Sequence, residues 1–138
     1  MNEAQRMVRD FHERFGVPRS DSPAWPGEAA HRLRVNLIEE ELAELRNAGE
    51  AHDLVEIADA LGDLLYVVYG TAVTYGIDLE PVFSEIHRSN MSKDPDLRAR
   101  CDGKVPKGAR YSPPRVAEVL ERQMDQPLVP LEPVPASL

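Results

Sequence analysis

Residues 37–45 read LIEEELAEL. An α-helix turns ~100° per residue, and on that wheel Leu33, Leu37, Ile38, Leu42 and Leu45 form one apolar arc. Glu41 falls inside the arc, Glu44 lies between the directions of Leu33 and Leu37, and Glu40 sits at its margin. Only Glu39 points cleanly away. A surface helix normally keeps acids off its buried stripe, because an unpaired carboxylate there is costly. The pattern therefore predicts a helix from about 28 to 48, closed by Gly49, whose inner face meets something cationic.

Working outward, the same period recurs. Ala4, Met7, Val8, Phe11 and Phe15 repeat at helical spacing until Gly16 and Pro18 stop them. The loop VPRSDSPAWPG carries the one tryptophan, Trp25. Asp53 caps a helix over roughly 54–75 that ends at Gly76, and Asp78 caps a fourth through LEPVFSEIHRSN. SPPRVAEVLERQ opens a short fifth, with Ser112 as cap and Pro113 at its first position. No run alternates as a strand does, so the expected fold is an all-α bundle of four to five helices. One domain is expected over residues 1–120, with a core about 28–91 and a basic loop 92–112. A proline-rich tail, 121–138, follows and cannot form a packed element alone.

The third helix carries Glu56, Asp59 and Asp63 at i, i+3 and i+7, one column within ~60° of arc. Leu54, Ile57, Leu61, Leu64, Leu65, Val67 and Val68 make the rest apolar nearly all round, which predicts a central, buried helix. Gly62 and Gly70 weaken it by roughly 1 kcal/mol each relative to alanine, so close helix approach is expected there. If the short connection to Asp53 makes the two helices antiparallel, their acids face one another. Facing carboxylates repel, and protons or cations relieve them. An all-oxygen set favours Mg²⁺ first and Mn²⁺ second. Zinc does not fit, because His12, His31, His52 and His87 have no ligand spacing with one another or with Cys101. A di-iron bundle would need Glu-x-x-His pairs, which both acidic helices lack. A single acid on an apolar arc is more often salt-bridged, and Arg32, Arg34 and Arg46 are near enough to compete. Two sets on adjacent helices would need as many buried cations.

The net charge of −8 argues against a general nucleic-acid binder. Within it, residues 93–115 hold seven basic and three acidic residues, a net +4 that leaves −12 for the remainder. Such separation suits a polyphosphate carried with its metal. A lone cysteine gives no internal disulfide framework and fits a reducing compartment. The charged first residues show no secretory leader, and LLYVVYGTAV reads as too short to span a membrane. A cytoplasmic protein without membrane or nucleic-acid partners is expected.

These residues resemble the all-α nucleoside triphosphate pyrophosphohydrolases, which include MazG-like proteins, phosphoribosyl-ATP pyrophosphohydrolases and dimeric dUTPases. The family pattern is E-E-x-x-E on one helix and E-x-x-D on the next. EELAE at residues 40–44 matches the first half, and DLLYVVYGTAVTYGIDLEPVFSEIHRSNMSK is similar to small MazG-like proteins, many phage-encoded. The likeness covers roughly residues 33–120. In the second half Asp63 takes the aspartate position, but the glutamate three residues earlier is replaced by Ala60. Asp59, or else Glu56, must substitute. The resemblance implies metal-dependent hydrolysis of a nucleoside triphosphate, a dNTP such as dUTP or dGTP, to monophosphate and pyrophosphate. Two or more Mg²⁺ or Mn²⁺ ions per site are implied, with Glu41, Glu44, Asp59 and Asp63 as ligands and Glu56 in reserve. Glu40 would ligate or act as base beside Glu41. Asn90 and Lys93 would contact nucleotide, and Lys104, Lys107 and Tyr111 would close over phosphate. A buried or rim position suits Trp25 better than a base-stacking one. A homodimer or dimer of dimers, in a host's cytoplasm if phage-encoded, completes the expectation. The rivals are phosphoribosyl-ATP as substrate, and a non-catalytic helical nucleotide sensor.

Overall fold

The computed structural model describes residues 1–97 and 102–125. Cys101, Arg98, Arg100 and all of the tail beyond residue 125 lie outside the described residues. Five helices follow in order: α1 (Glu3–Phe15), α2 (Glu28–Glu50), α3 (Leu54–Tyr75), α4 (Leu79–Met91) and α5 (Val116–Asp125). The described residues contain no strand, and the fold is all-α.

Caps set most of the boundaries. The Asp53 side chain accepts from the Val55 and Glu56 amides, and Asp78 accepts from Glu80. Gly16 and Gly76 close α1 and α3 with φ of 65° and 71°, a left-handed conformation open to glycine at no steric cost. Two boundaries differ from expectation. Gly49 stays helical, and His52 takes the left-handed turn instead (φ 54°). Helix α5 begins at Val116 rather than after Ser112, because the Ser112 hydroxyl is taken by Arg88 at 3.1 Å. At its other end α5 continues to Asp125.

α2 and α3 form an antiparallel hairpin. At its closed end the Asp53 amide reaches the Ala48 carbonyl (3.1 Å), and at its open end Arg34 reaches the Val67 carbonyl (3.3 Å). The buried face of α2 carries Arg34, Glu41 and Ala48, seven residues apart each time. Gly70 is where the close approach occurs: a Cβ there would overlap Arg34 Nη2 and lie 3.2 Å from His12 Nε2. Gly62 faces open space, so the expected close approach does not occur there.

α1 lies on α3 by a polar face. Gln5, Val8, Arg9 and His12 are buried, while Met7, Phe11 and Phe15 of the expected apolar stripe are exposed. Gln5 explains the inversion: its amide donates to the Ile77 carbonyl (2.7 Å) and accepts from the Leu79 amide (3.0 Å), clasping the α3–α4 turn. Burial lowers the His12 pKa, and so, less strongly, does the charge of Arg34.

α3 is central, but only its inner side is buried. Leu54 (79%), Val55 (76%) and Leu65 (57%) stand exposed on the single chain. By length and composition α3 could also cross a membrane, with a mean hydropathy of 1.2 over its best 18 residues, which corrects the shorter reading of LLYVVYGTAV. Against that use stands its column of Glu56, Asp59 and Asp63, costly in hydrocarbon.

Candidate active site

The antiparallel hairpin brings the two acidic sets together. Glu41 is partly buried, its Oε2 fully so and without a hydrogen-bond partner. Burial raises its pKa first, and then the charges of Glu44, Asp63, Glu40 and Asp59 raise it further. Those four are the residues that the sequence grouped around Glu41. Glu56 does not contribute to its field; it lines a neighbouring cavity of about 440 Å³ with Glu44, Asn47 and Asp53.

Among the described residues, no cation pairs with this cluster as an ordinary salt-bridged cluster would require. Arg34, the nearest competitor, is 94% buried but turns to the Val67 carbonyl and the Gly70 backbone, with its Nε unpartnered. No ion pair reaches Glu40, Glu41, Glu44, Asp59 or Asp63 from the described residues. Among those residues no three Asp, Glu, His or Cys side chains converge closely enough to grip one ion as they stand. The donor set nevertheless suits a hard divalent cation: it is all oxygen, uncompensated, and includes one buried carboxylate oxygen with no partner.

The basic residues that the sequence singled out lie beyond the far end of α4. This helix leaves the end of α3 and shares a groove with Leu65, Val68 and Tyr69, so it runs back toward the half of α3 that carries Asp63. Lys93 lines a cavity of about 370 Å³ with Asp94 and Arg110. Lys107 lies over the Tyr111 ring, 4.8 Å from its centroid. A hydrogen bond from Ser89, then the charges of Lys107 and Lys93, lower the Tyr111 phenol below its usual range. The structure thus draws Lys93, Lys107 and Tyr111 together. Lys104 stands apart, exposed beside Asp102, and Asn90 is exposed at the end of α4.

Sequence reasoning missed what holds this basic loop. Glu85 accepts from Arg88 Nε (2.9 Å) and Nη2 (2.7 Å) and from the Arg115 amide (2.8 Å). Arg88 in turn donates to Ser112 Oγ and to the Pro113 carbonyl, each at 3.1 Å. These bonds hold the Glu85 carboxyl down at about 2. The only sequence signal was a Glu-x-x-Arg pair on one helix, which looks like an ordinary surface ion pair.

With this geometry in view, the comparisons decide the family. The sequence profile of phosphoribosyl-ATP pyrophosphohydrolase matches residues 8–90, well over half of the chain. The chain belongs to the phosphoribosyl-ATP pyrophosphohydrolase family. The match runs from the middle of α1 through nearly all of α4, including both acidic helices. A viral protein, "Uncharacterized protein L479" of Acanthamoeba polyphaga mimivirus, is 51% identical over 49 residues. That segment is 36% of this chain and only 20% of the viral protein, so the likeness is local.

Trp25 is not buried: it is 59% exposed, with its ring 5.0 Å from that of His31 and edge-on to Tyr75. His31 and the Tyr75 hydroxyl are hydrogen-bonded.

Proposed function

We propose that this family member hydrolyses a nucleoside triphosphate, with a dNTP such as dUTP or dGTP preferred, to the monophosphate and pyrophosphate. The observation that carries the reading is that the charges of Glu44, Asp63, Glu40 and Asp59 all bear on Glu41, whose buried Oε2 has no partner, with no cation among the described residues to pair them. Glu41, Glu44, Asp63 and Asp59 would hold Mg²⁺ or Mn²⁺, two or more ions per site. Held by those carboxylates, such a metal would supply charge neutralisation at the phosphates and would acidify water. Glu40, at the margin of the set, accepts the proton of the attacking water as it meets the α-phosphorus. The bond to the bridging oxygen then breaks, and pyrophosphate leaves. Lys93 and Lys107, the latter seated on Tyr111, take the outer phosphate oxygens. Asn90 contacts the nucleotide from the end of α4, and Lys104 adds charge from the loop.

The exposed Leu54, Val55 and Leu61 on α3 support a homodimer or dimer of dimers, and a cytoplasmic location goes with the proposal. The family's own name favours phosphoribosyl-ATP as the second substrate reading. Chromatography of products from NTPs, dNTPs and phosphoribosyl-ATP, with Mg²⁺ or Mn²⁺ and with EDTA, tests the proposal. Metal-dependent release of one monophosphate supports it and names the base. Binding without turnover of any compound would instead leave a helical nucleotide sensor.

A further inference from the structure

A largely apolar groove, with Glu80 as its one acidic lining residue, runs between α3 and α4. Leu65, Val68 and Tyr69 form one wall and Leu79, Phe83 and Ile86 the other, around a volume of about 390 Å³. Phe83 is 73% exposed, so no described residue fills the groove. The last turn of α5 is fixed at one end of it. Gln123 accepts from the Asp78 amide and donates to the Asp78 carbonyl, both at 2.9 Å, and the next residue, Leu79, is already part of the wall. The chain beyond Asp125 therefore starts beside the groove.

Thirteen residues follow, QPLVPLEPVPASL. Pro127, Pro130 and Pro133 recur every third residue, and so do Leu128, Leu131 and Val134. A polyproline II helix has three residues per turn. In that conformation the prolines make one ridge and Leu128, Leu131 and Val134 a second, leaving Val129, Glu132 and Pro135 on the third. Two of three ridges are then apolar, and a helix without internal hydrogen bonds has nothing of its own to bury them against. Proline-rich segments of this kind dock on aromatic-lined grooves, and Tyr69 and Phe83 supply the rings.

We propose that residues 127–135 dock as a polyproline II segment in the α3–α4 groove of their own chain. The lengths agree. Leu128 lies three residues beyond Asp125, a reach of ~9 Å, and the ridge from Leu128 to Val134 spans ~19 Å at ~3.1 Å per residue. The α4 wall from Leu79 to Ile86 rises only ~10 Å. The segment's one charge, Glu132, falls on the ridge away from both apolar ones. Docking holds whichever reaction the carboxylates perform.

The test is photo-crosslinking in the full-length protein carrying Phe83→p-benzoylphenylalanine, prepared as a mixture of isotopically heavy and light chains. Expected are adducts to residues 127–135, heavy to heavy and light to light. Leu128→Asp with Leu131→Asp should abolish them while the helical circular dichroism persists. Heavy-to-light adducts, through a second copy's helices or its tail, would overturn the proposal. So would an absence of tail adducts, or tail adducts that survive the aspartates.

Discussion

Gly62→Ala and Gly70→Ala add the same methyl group to the same helix, and they should move stability in opposite directions. In a helix interior alanine is favoured over glycine by about 1 kcal/mol. At Gly62 the new Cβ meets nothing within 4 Å, so that gain is kept. At Gly70 it would overlap Arg34 Nη2 and press within 3.2 Å of Arg34 Cζ and His12 Nε2. Arg34 is 6% exposed and cannot swing aside without surrendering its bond to the Val67 carbonyl. A hydrogen bond made by a charged group is worth ~1.5–3 kcal/mol, and overpacking a tight contact costs ~1–3 kcal/mol. Set against the propensity gain, Gly70→Ala should lose roughly 2–4 kcal/mol. At about 4 °C per kcal/mol for a chain of this size, Gly70→Ala should melt on the order of 10 °C lower and Gly62→Ala a few degrees higher. Urea unfolding followed by circular dichroism, at matched oligomeric state, measures both. A Gly70→Ala protein as stable as the parent would refute the lodging of Arg34 against that backbone. A destabilised Gly62→Ala would show that another surface closes over this position.

Glu41→Gln should abolish turnover, keep the fold and raise the melting temperature in EDTA. Because the folded Glu41 pKa is raised, the native state holds a proton that the unfolded chain has lost. Metal-free stability should therefore fall as pH rises from the ordinary value of 4.5 through the raised one, and Glu41→Gln should flatten that fall in a pH series of melts. Glu85 has the opposite sign. Its stabilisation is complete above the unfolded value and declines progressively as pH falls from there through about 2, so the Arg115 amide, which donates to Glu85, should keep most of its protection from hydrogen exchange at pH 4. Glu85→Ala should raise KM several-fold with kcat little changed, since it loosens the basic loop; an unchanged KM would remove that loop from substrate binding. Light scattering at micromolar concentration should give a multiple of the 15.4 kDa chain mass, and a monomer would refute the exposed-leucine argument.

The sequence carried the local physics well. Asp53, Asp78, Gly16 and Gly76 mark helix ends through bonds made within a turn, and wheel geometry placed Glu41 on the inner face of α2 with Asp59 and Asp63 opposite. What it hid depends on partners far along the chain. Gln5 looks like a solvent residue until Ile77 and Leu79, more than seventy positions away, arrive to satisfy it. The helical spacing of α1 was legible but not its buried face: a polar clasp won that face, and Met7, Phe11 and Phe15 were left outside. Ser112 looked like a helix cap because nothing in its neighbourhood announces Arg88. The close approach at Gly70 and its absence at Gly62 depend equally on where Arg34 folds back, which no local pattern encodes.

The most direct test of the central claim is a side-by-side assay of the parent and Glu41→Gln on the preferred nucleotide, counting pyrophosphate and orthophosphate against monophosphate. The account predicts one pyrophosphate per monophosphate from the parent, none in EDTA, and none from Glu41→Gln despite an intact helical fold. Orthophosphate release, or turnover that survives the loss of Glu41, would contradict it.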